Sequence, residues 1–372
     1  MRWYRKIEAF FLACINFVWK TFIKLHEKNN IKSKNKLVEK VELTDRQKKQ
    51  IDDFYLENYG KKIPYKWHRM YQSFTGNFDY RYIPDYIYTV LLEELNNKRI
   101  DVLPFENKAM IANFARGVKN PVRVPKTYVS CVGGSYFDGE GNPISKKDAV
   151  GKILKLCETC PQFIIKKTVD TSSGRGVRLI NAENGIDTIE NERIESVIEK
   201  FGGDFAVQEK IIQNAAFSAL YSGSVNTLRV ITYRTENKIN VAPTIMRIGR
   251  NGYVDNAHAG GMFIGVSREG KLLKQAFTEY GEKFEKHPVT NVVFENYELP
   301  AFDKVMAAAT EMHKNYPALR FISWDFTVDE NENVVLIEAN LHSQTVWMSQ
   351  SSHGKGLFEE NTAEILALVR NK

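Results

Sequence analysis

The clearest pattern along the chain is a pair of apolar, β-rich runs, residues 322–328 (ISWDFTV) and 334–339 (VVLIEA), separated by the polar stretch DENEN. Asp and Asn favour turns, so residues 322–345 predict a β-hairpin. A turn centred between Asn331 and Glu332 sets Asp325 opposite Glu338, and two-residue alternation puts Asn340 on the same face. The unbroken apolar run 334–337 predicts a sheet covered on both sides, where two opposed carboxylates call for a positive partner. A hard divalent cation such as Mg²⁺ fits, because it takes oxygen ligands and uses one or two carboxylates together with substrate phosphates. The competing reading is a solvated edge whose acids meet water or lysine.

Upstream, residues 2–25 (RWYRKIEAFFLACINFVWKTFIKL) follow a helical period. Ala9, Ala13, Asn16, Lys20 and Lys24 form a narrow polar stripe, while Phe10, Phe11, Ile15, Val18, Trp19, Phe22 and Ile23 fill the broad remainder. The longest apolar run, 9–15, falls well short of the roughly 20 residues that cross a bilayer. Lysines follow it without a small-residue cleavage pattern, so it makes a poor secretory signal. Such a helix suits a lipid interface or a docked position on protein, and the pattern leaves both open. Residues 29–49 read as a Lys-rich linker entering a helix at 44–58 with Thr44 as N-cap. A further helix is predicted at 84–97 and a turn at 75–77. Tyr65, Trp67, Tyr71 and Phe74 read as packing residues.

From Asn107 helices and strands alternate. Helices are predicted at 108–116, 146–157, 302–315 and 361–370, with 183–200 a charged helical segment. Strands are predicted at 124–131, 163–166, 177–180, 205–212, 226–233 and 239–248, then the hairpin. Between the strands 163–166 and 177–180 lies TVDTSSGRGV. Its Ser172, Ser173, Gly174 and Gly176 can bring backbone N–H groups close to a phosphate. Lys166, on an apolar strand, needs an anionic partner, and alternation favours it over Lys167 for that face. Arg229 shares a strand face with Thr227 and Ile231, as a phosphate clamp or a structural ion pair would. His258 lies in a loop with Asp255, Gly260 and Gly261 and reads equally as base, phosphate donor or surface residue. The stretch 265–272 (GVSREGKL) approaches a P-loop, but Leu272 stands where Ser or Thr should hold Mg²⁺, and a hairpin turn is predicted there.

Composition narrows the classes. Of the 372 residues, 26% are charged and 43% hydrophobic, as in an ordinary folded domain. The net charge of +7 is uneven: thirteen Lys or Arg against five Asp or Glu in residues 1–50 leave the body close to neutral. No zinc, helix-turn-helix or RNA-binding signature accompanies those basic residues, so no nucleic-acid partner is expected. Four cysteines are too few for a disulfide framework, and Cys157-x-x-Cys160 stands without a second pair, which suits cytosolic thiols.

Taken in order, Lys108, Lys166, the Ser/Gly loop, Glu209, Arg229, Asp325, Glu338 and Asn340 resemble the ATP-grasp superfamily. The stretches SVNTLRVIT, VDNAHAGG and SWDFTVDENENVVLIEAN resemble its sugar-transfer-associated branch, found with bacterial polysaccharide biosynthesis. The resemblance implies an α+β fold with two lobes enclosing ATP, at residues 107–207 and 208–372. They would follow an amphipathic helix at 1–28 and a mainly helical region at 29–106. It also implies roles: Lys108 and Lys166 at phosphates, Ser172 to Gly176 closing over them, and Gln208 and Glu209 at the adenine or ribose. Arg229 would hold the γ-phosphate, with Arg229, Lys166 and His258 as catalytic candidates, and Asp325, Glu338 and Asn340 would bind Mg²⁺. The implied activity is an ADP-forming carboxylate–amine ligase working on a small-molecule or glycan precursor, cytoplasmic and peripheral to an anionic membrane surface. A kinase for a hydroxyl acceptor and a non-catalytic nucleotide-binding assembly factor are the alternatives. Lys167 stands where many relatives carry Pro.

Overall fold

The computed structural model describes residues 2–115, 117–119, 122–169, 176–250, 252, 255, 257 and 260–370. Two antiparallel sheets follow a helical N-terminal region. The first is built from β1 (Thr127–Val132), β2 (Ser135–Asp138), β3 (Pro143–Ile144), β4 (Gln162–Lys167), β5 (Val177–Glu183), β6 (Ile186–Asp187), β7 (Glu192–Arg193) and β8 (Phe205–Glu209). Its order is β3-β2-β1-β8-β4-β5-β6-β7. Val129, Phe163, Ile165 and Val207 project from one face onto Ile153 and Leu156 of helix Lys146–Thr159 and Val197 and Ile198 of helix Ile194–Phe201. The segment 183–200, expected to be helical throughout, is helical only from Ile194. Asn184 and Gly185 both take positive φ and close the β5–β6 hairpin, the preference of a two-residue Asn-Gly turn.

The second sheet holds β9 (Thr227–Arg234), β10 (Ile239–Val241), β11 (Ile245–Ile248), β12 (Met262–Val266), β13 (Leu272–Phe277), β14 (Lys283–Phe284), β15 (Phe321–Val328) and β16 (Val334–Asn340). The order is β14-β13-β12-β11-β9-β15-β16, with β10 beside β9. The expected single strand 239–248 is split around Pro243, which has no N–H for the ladder. Residues 265–272 do form a hairpin turn, between β12 and β13.

Both faces of this sheet are covered. Leu228, Val230, Met246, Trp324 and Phe326 pack on Val305, Ala308, Ala309 and Met312 of helix Phe302–Lys314. On the opposite face, Ile231, Tyr233 and Phe321 meet Ile51, Tyr55, Ile87, Tyr88 and Leu92, while Ile245, Phe263 and Phe277 meet Trp67, Met70, Tyr71 and Phe74. The aromatic N-terminal region is therefore the second cover of the sheet. Thr44 caps helix Asp45–Asn58 with a reciprocal Gln47 bond, and Gly76 closes helix Lys66–Thr75 in the left-handed region.

In the hairpin, Asp325 does pair with Glu338, but a bulge sets that register. Val328 pairs with Val334 and Phe326 with Leu336, and then Ile337 is passed over so that Asp325 meets Glu338 and Ser323 meets Asn340. Continued pairing would have brought Ile337 and Ala339 to Asp325's face. The extra residue instead turns Glu338 and Asn340 onto it. The turn is built by Asp329, whose Oδ1 accepts from the N–H groups of Asn331 and Asn333.

The N-terminal helix, Arg2–Ser33, divides in two. Glu27 and Ile31 are buried against the body, and Lys20 lies at helical spacing from them. The broad apolar arc consequently faces away: Phe10 is 66% exposed, Phe17 72% and Phe22 60%.

Candidate functional site

The N-terminal cover leaves one end of its sheet face free for charge. Across that end runs a transverse row, Arg229 on β9, Asp325 on β15 and Glu338 on β16, each directly opposite the next. Arg229 grips Asp325 bidentately: Nε donates to Oδ1, and Nη2 to Oδ2 at 2.8 Å. Arg247 on β11 donates to Asp325 Oδ2 at 3.1 Å and to Asp255 Oδ1 at 2.8 Å, and Thr227 Oγ1 donates to Asp255 Oδ2. Burial opposes ionisation of Asp325, yet Arg229 and Arg247 hold its carboxyl below the usual range. Asn340 Nδ2 lies 3.4 Å from Asp325 Oδ2.

The segment ahead of β1 and strand β4 contribute two lysines. Lys108 Nζ sits 2.8 Å from Glu338 Oε1, and its backbone N–H donates to Thr168 O at the end of β4. Lys166 is buried on the strand face opposite Phe163 and Ile165, whereas Lys167 is exposed. Burial pulls the Lys166 ammonium down to about 8; Glu338 is the carboxylate that most supports its charge, and Lys108 works against it. Among the described residues, no carboxylate comes within ion-pair distance of Lys166. The acids of the hairpin do have positive neighbours, as the sequence demanded: Arg229 and Arg247 at Asp325, and Lys108 at Glu338.

Gln208 shares the Lys166 face, opposite Ile164, and donates to Thr127 Oγ1 at 2.9 Å. Glu209 points elsewhere. Its carboxylate accepts from the Lys126 N–H at 2.6 Å and Arg123 Nη2 at 2.7 Å, so it fastens the segment entering β1. Arg123 itself exchanges two backbone bonds with β16, its N–H to Val334 O and its C=O to Leu336 N, along the strand's outer edge. Gly176, at φ 75°, turns the chain into β5. Ser172, Ser173, Gly174 and His258 lie outside the described residues.

Two groups escaped the sequence reading. Arg247 shares a face with Ile245 on an apolar strand, the same signal that marked Arg229, and Asp255 is its buried partner. Glu93, from the N-terminal region, accepts from the N–H groups of Ser343 and Gln344 at 2.9 and 3.0 Å, and burial raises its carboxyl to about 7. It thereby fixes the segment that leaves Asn340.

Asp325, Glu338 and Asn340 offer hard oxygen donors on one face. No group of three acidic, His or Cys side chains among the described residues is placed to hold a metal by itself. That donor set suits Mg²⁺ arriving with phosphate oxygens, which completes its coordination with few protein ligands.

No curated protein matches this sequence. Among solved structures, D-alanyl-alanine synthetase A from Vibrio cholerae is 13% identical, with a TM-score of 0.43 over 73% of this chain and 67% of that one. The VanG D-Ala:D-Ser ligase from Enterococcus faecalis is 12% identical, with a TM-score of 0.40 over 71% of this chain and 60% of that one. An N5-carboxyaminoimidazole ribonucleotide synthetase in its ADP complex is 11% identical, with a TM-score of 0.36 over 64% of this chain; this chain spans only 45% of its length. The sequence profile described as sugar-transfer associated ATP-grasp matches residues 89–365. With most of its length inside that match, the chain belongs to the sugar-transfer associated ATP-grasp family.

Proposed function

We propose that this protein is an ATP- and Mg²⁺-dependent carboxylate–amine ligase that acts through an acyl phosphate on a sugar or cell-surface polysaccharide precursor. The observation that carries the reading is the convergence of Lys108, Lys166 and Arg229, from both lobes, on the face bearing Asp325, Glu338 and Asn340. Arg229 and Lys108 meet Asp325 and Glu338, which leaves Lys166 beside them as the cation without a carboxylate at ion-pair distance among the described residues, and a triphosphate would supply its anion. The sugar part of the reading comes from the family to which the chain belongs.

In the first step a carboxylate oxygen of the substrate forms a bond to the γ-phosphorus of ATP, and the bond to ADP breaks. In the second, the acceptor amine forms a C–N bond to the acyl carbon. The C–O bond to phosphate breaks, and phosphate departs with the amine proton. Lys166 and Lys108 would hold the phosphates, and Arg229, kept rigid by Asp325, would face the charge that develops on the transferring group. Gln208 and the backbone after Glu209 would meet the base and ribose. Asp325, Glu338 and Asn340 would hold Mg²⁺, which when bound supplies charge neutralisation to the phosphates.

Hydroxylamine in place of the acceptor tests this reading. Hydroxamate accumulating in step with ADP supports it; a phosphorylated acceptor without hydroxamate would make the protein a kinase, and ATP binding without turnover an assembly factor.

The N-terminal helix completes the proposal. Among the described residues no helix is long and apolar enough to cross a membrane. The outward arc of aromatic and aliphatic residues, with basic residues along the same segment, suits the interface of an anionic bilayer. Removing residues 1–28 should release the protein from anionic vesicles and leave ATP binding intact; sedimentation unchanged by the deletion would refute it.

A further inference from the structure

A cavity of about 850 Å³ lies between the N-terminal helix, the helical segment carrying Asp85 and Glu93, the turn at Glu279, and residues 342–347. That volume is within the range of small-molecule sites. The wall at His342 begins two residues beyond Asn340, so the chain places its Cα within about 7 Å of the candidate phosphate face. Cavity and site therefore share one strand end.

The walls are unequal in charge. Glu27, Asp85, Glu93 and Glu279 line the cavity with Lys34 and His342; Lys34 is already committed, 3.6 Å from Glu279 and 3.6 Å from the centre of the Trp347 ring, and His342 Nε2 lies 3.0 Å from Glu94 Oε1. Burial first, and then the neighbouring Glu27 charge, push the Asp85 carboxyl up to about 8. An entering ammonium group would relieve both. At the mouth stand Trp19 and Phe22, 45% and 60% exposed, which belong to the outward apolar arc of the helix. An acid-lined interior opening onto an apolar rim matches a ligand with a cationic head and a greasy tail.

We propose that this cavity is the acceptor subsite, taking the ammonium-bearing sugar head of an amphiphilic substrate whose apolar tail leaves past Trp19 and Phe22 along the N-terminal helix. The assignment rests on the ligase reading and specifies its amine. It also gives the outward helix a second task, since the surface that meets lipid is the one from which the acceptor enters.

The test uses the full chain with Mg²⁺ and a non-hydrolysable ATP analogue, titrated with dodecyl 2-amino-2-deoxyglucoside and with its N-acetyl counterpart below their micelle concentrations. The amine should bind at least tenfold more tightly than the N-acetyl compound. Asp85→Asn should bring the two to equality while the ATP analogue binds as before. Glu27→Gln repeats the measurement should Asp85→Asn fail to fold. Phe22→Asp should weaken the dodecyl amine about tenfold and leave free glucosamine unchanged. Equal binding of amine and N-acetyl compound by the wild type, or a preference that survives both carboxyl substitutions, would overturn the inference. If the wild type fails to bind the ATP analogue at all, the ligase reading falls; if it binds the analogue but shows no amine preference, only the acceptor subsite does.

Discussion

Asp325 is buried and Asp85 half-buried, and their environments drive them in opposite directions. Asp325 is held below the usual carboxylate range by two arginines, and Asp85 is pushed up to about 8 by burial and by Glu27. The difference lies in the supply of cations. The sheet face brings Lys108, Lys166, Arg229 and Arg247 to three acids, whereas the cavity sets Lys34 and His342 against four, with Lys34 drawn to Glu279 and Trp347 and His342 to Glu94. One region therefore holds spare positive charge and invites an anion; the other holds spare carboxyl groups and invites a cation.

Neutralising each aspartate in turn separates the two regions most. Asp325→Asn leaves two buried guanidinium groups without their shared partner and should cost about 3–5 kcal/mol in chemical denaturation, with loss of turnover. Asp85→Asn should cost far less and should gain on the wild type as pH rises from 5 to 8. A carboxyl raised in the folded state binds its proton there and loses it on unfolding, so the wild type weakens through that window and Asn cannot. Equal losses in the two variants would erase the distinction.

Next in size is Lys166→Met. Removing a charged donor to phosphate should weaken ATP binding about ten- to a hundredfold, and stability should hold or rise because a buried ammonium is no longer desolvated. The pH profile sharpens the point. Burial lowers the Lys166 ammonium to about 8, so it carries its charge below that value and sheds it above. ATP affinity of the wild type should fall about tenfold between pH 7 and 9, and this portion of the fall should be absent in Lys166→Met. The smallest effect on stability belongs to the outward arc: Phe11→Asp should change unfolding by less than about 0.5 kcal/mol while abolishing vesicle binding.

How far the sequence carried depended on the range of each interaction. The hairpin was legible because alternation and turn chemistry are local, and Asp325 opposite Glu338 was legible with it. The reason for that pairing was not. A bulge at Ile337 offsets a turn whose pairing register differs by one residue from the expected one, and two displacements that cancel leave no trace in a periodic pattern. Asn184-Gly185 was a readable turn signal, passed over because charged residues follow at helical spacing. Arg247 was hidden in a run read as one strand, which Pro243 divides. The aromatic N-terminal region carried no motif because its residues are specified by distant partners: Phe74 meets Phe263 and Phe277, and Tyr88 meets Phe321. Glu93 reaches the functional face across 250 residues of chain, a separation no local pattern encodes.

Arg123 has a consequence for self-association. A strand at the margin of a sheet displays a row of open amides and carbonyls, a template on which another chain can add. Here Arg123 occupies that row on β16 with two backbone bonds and a guanidinium tied to Glu209. A second copy is thereby kept from adding a strand to β16 at Val334–Leu336.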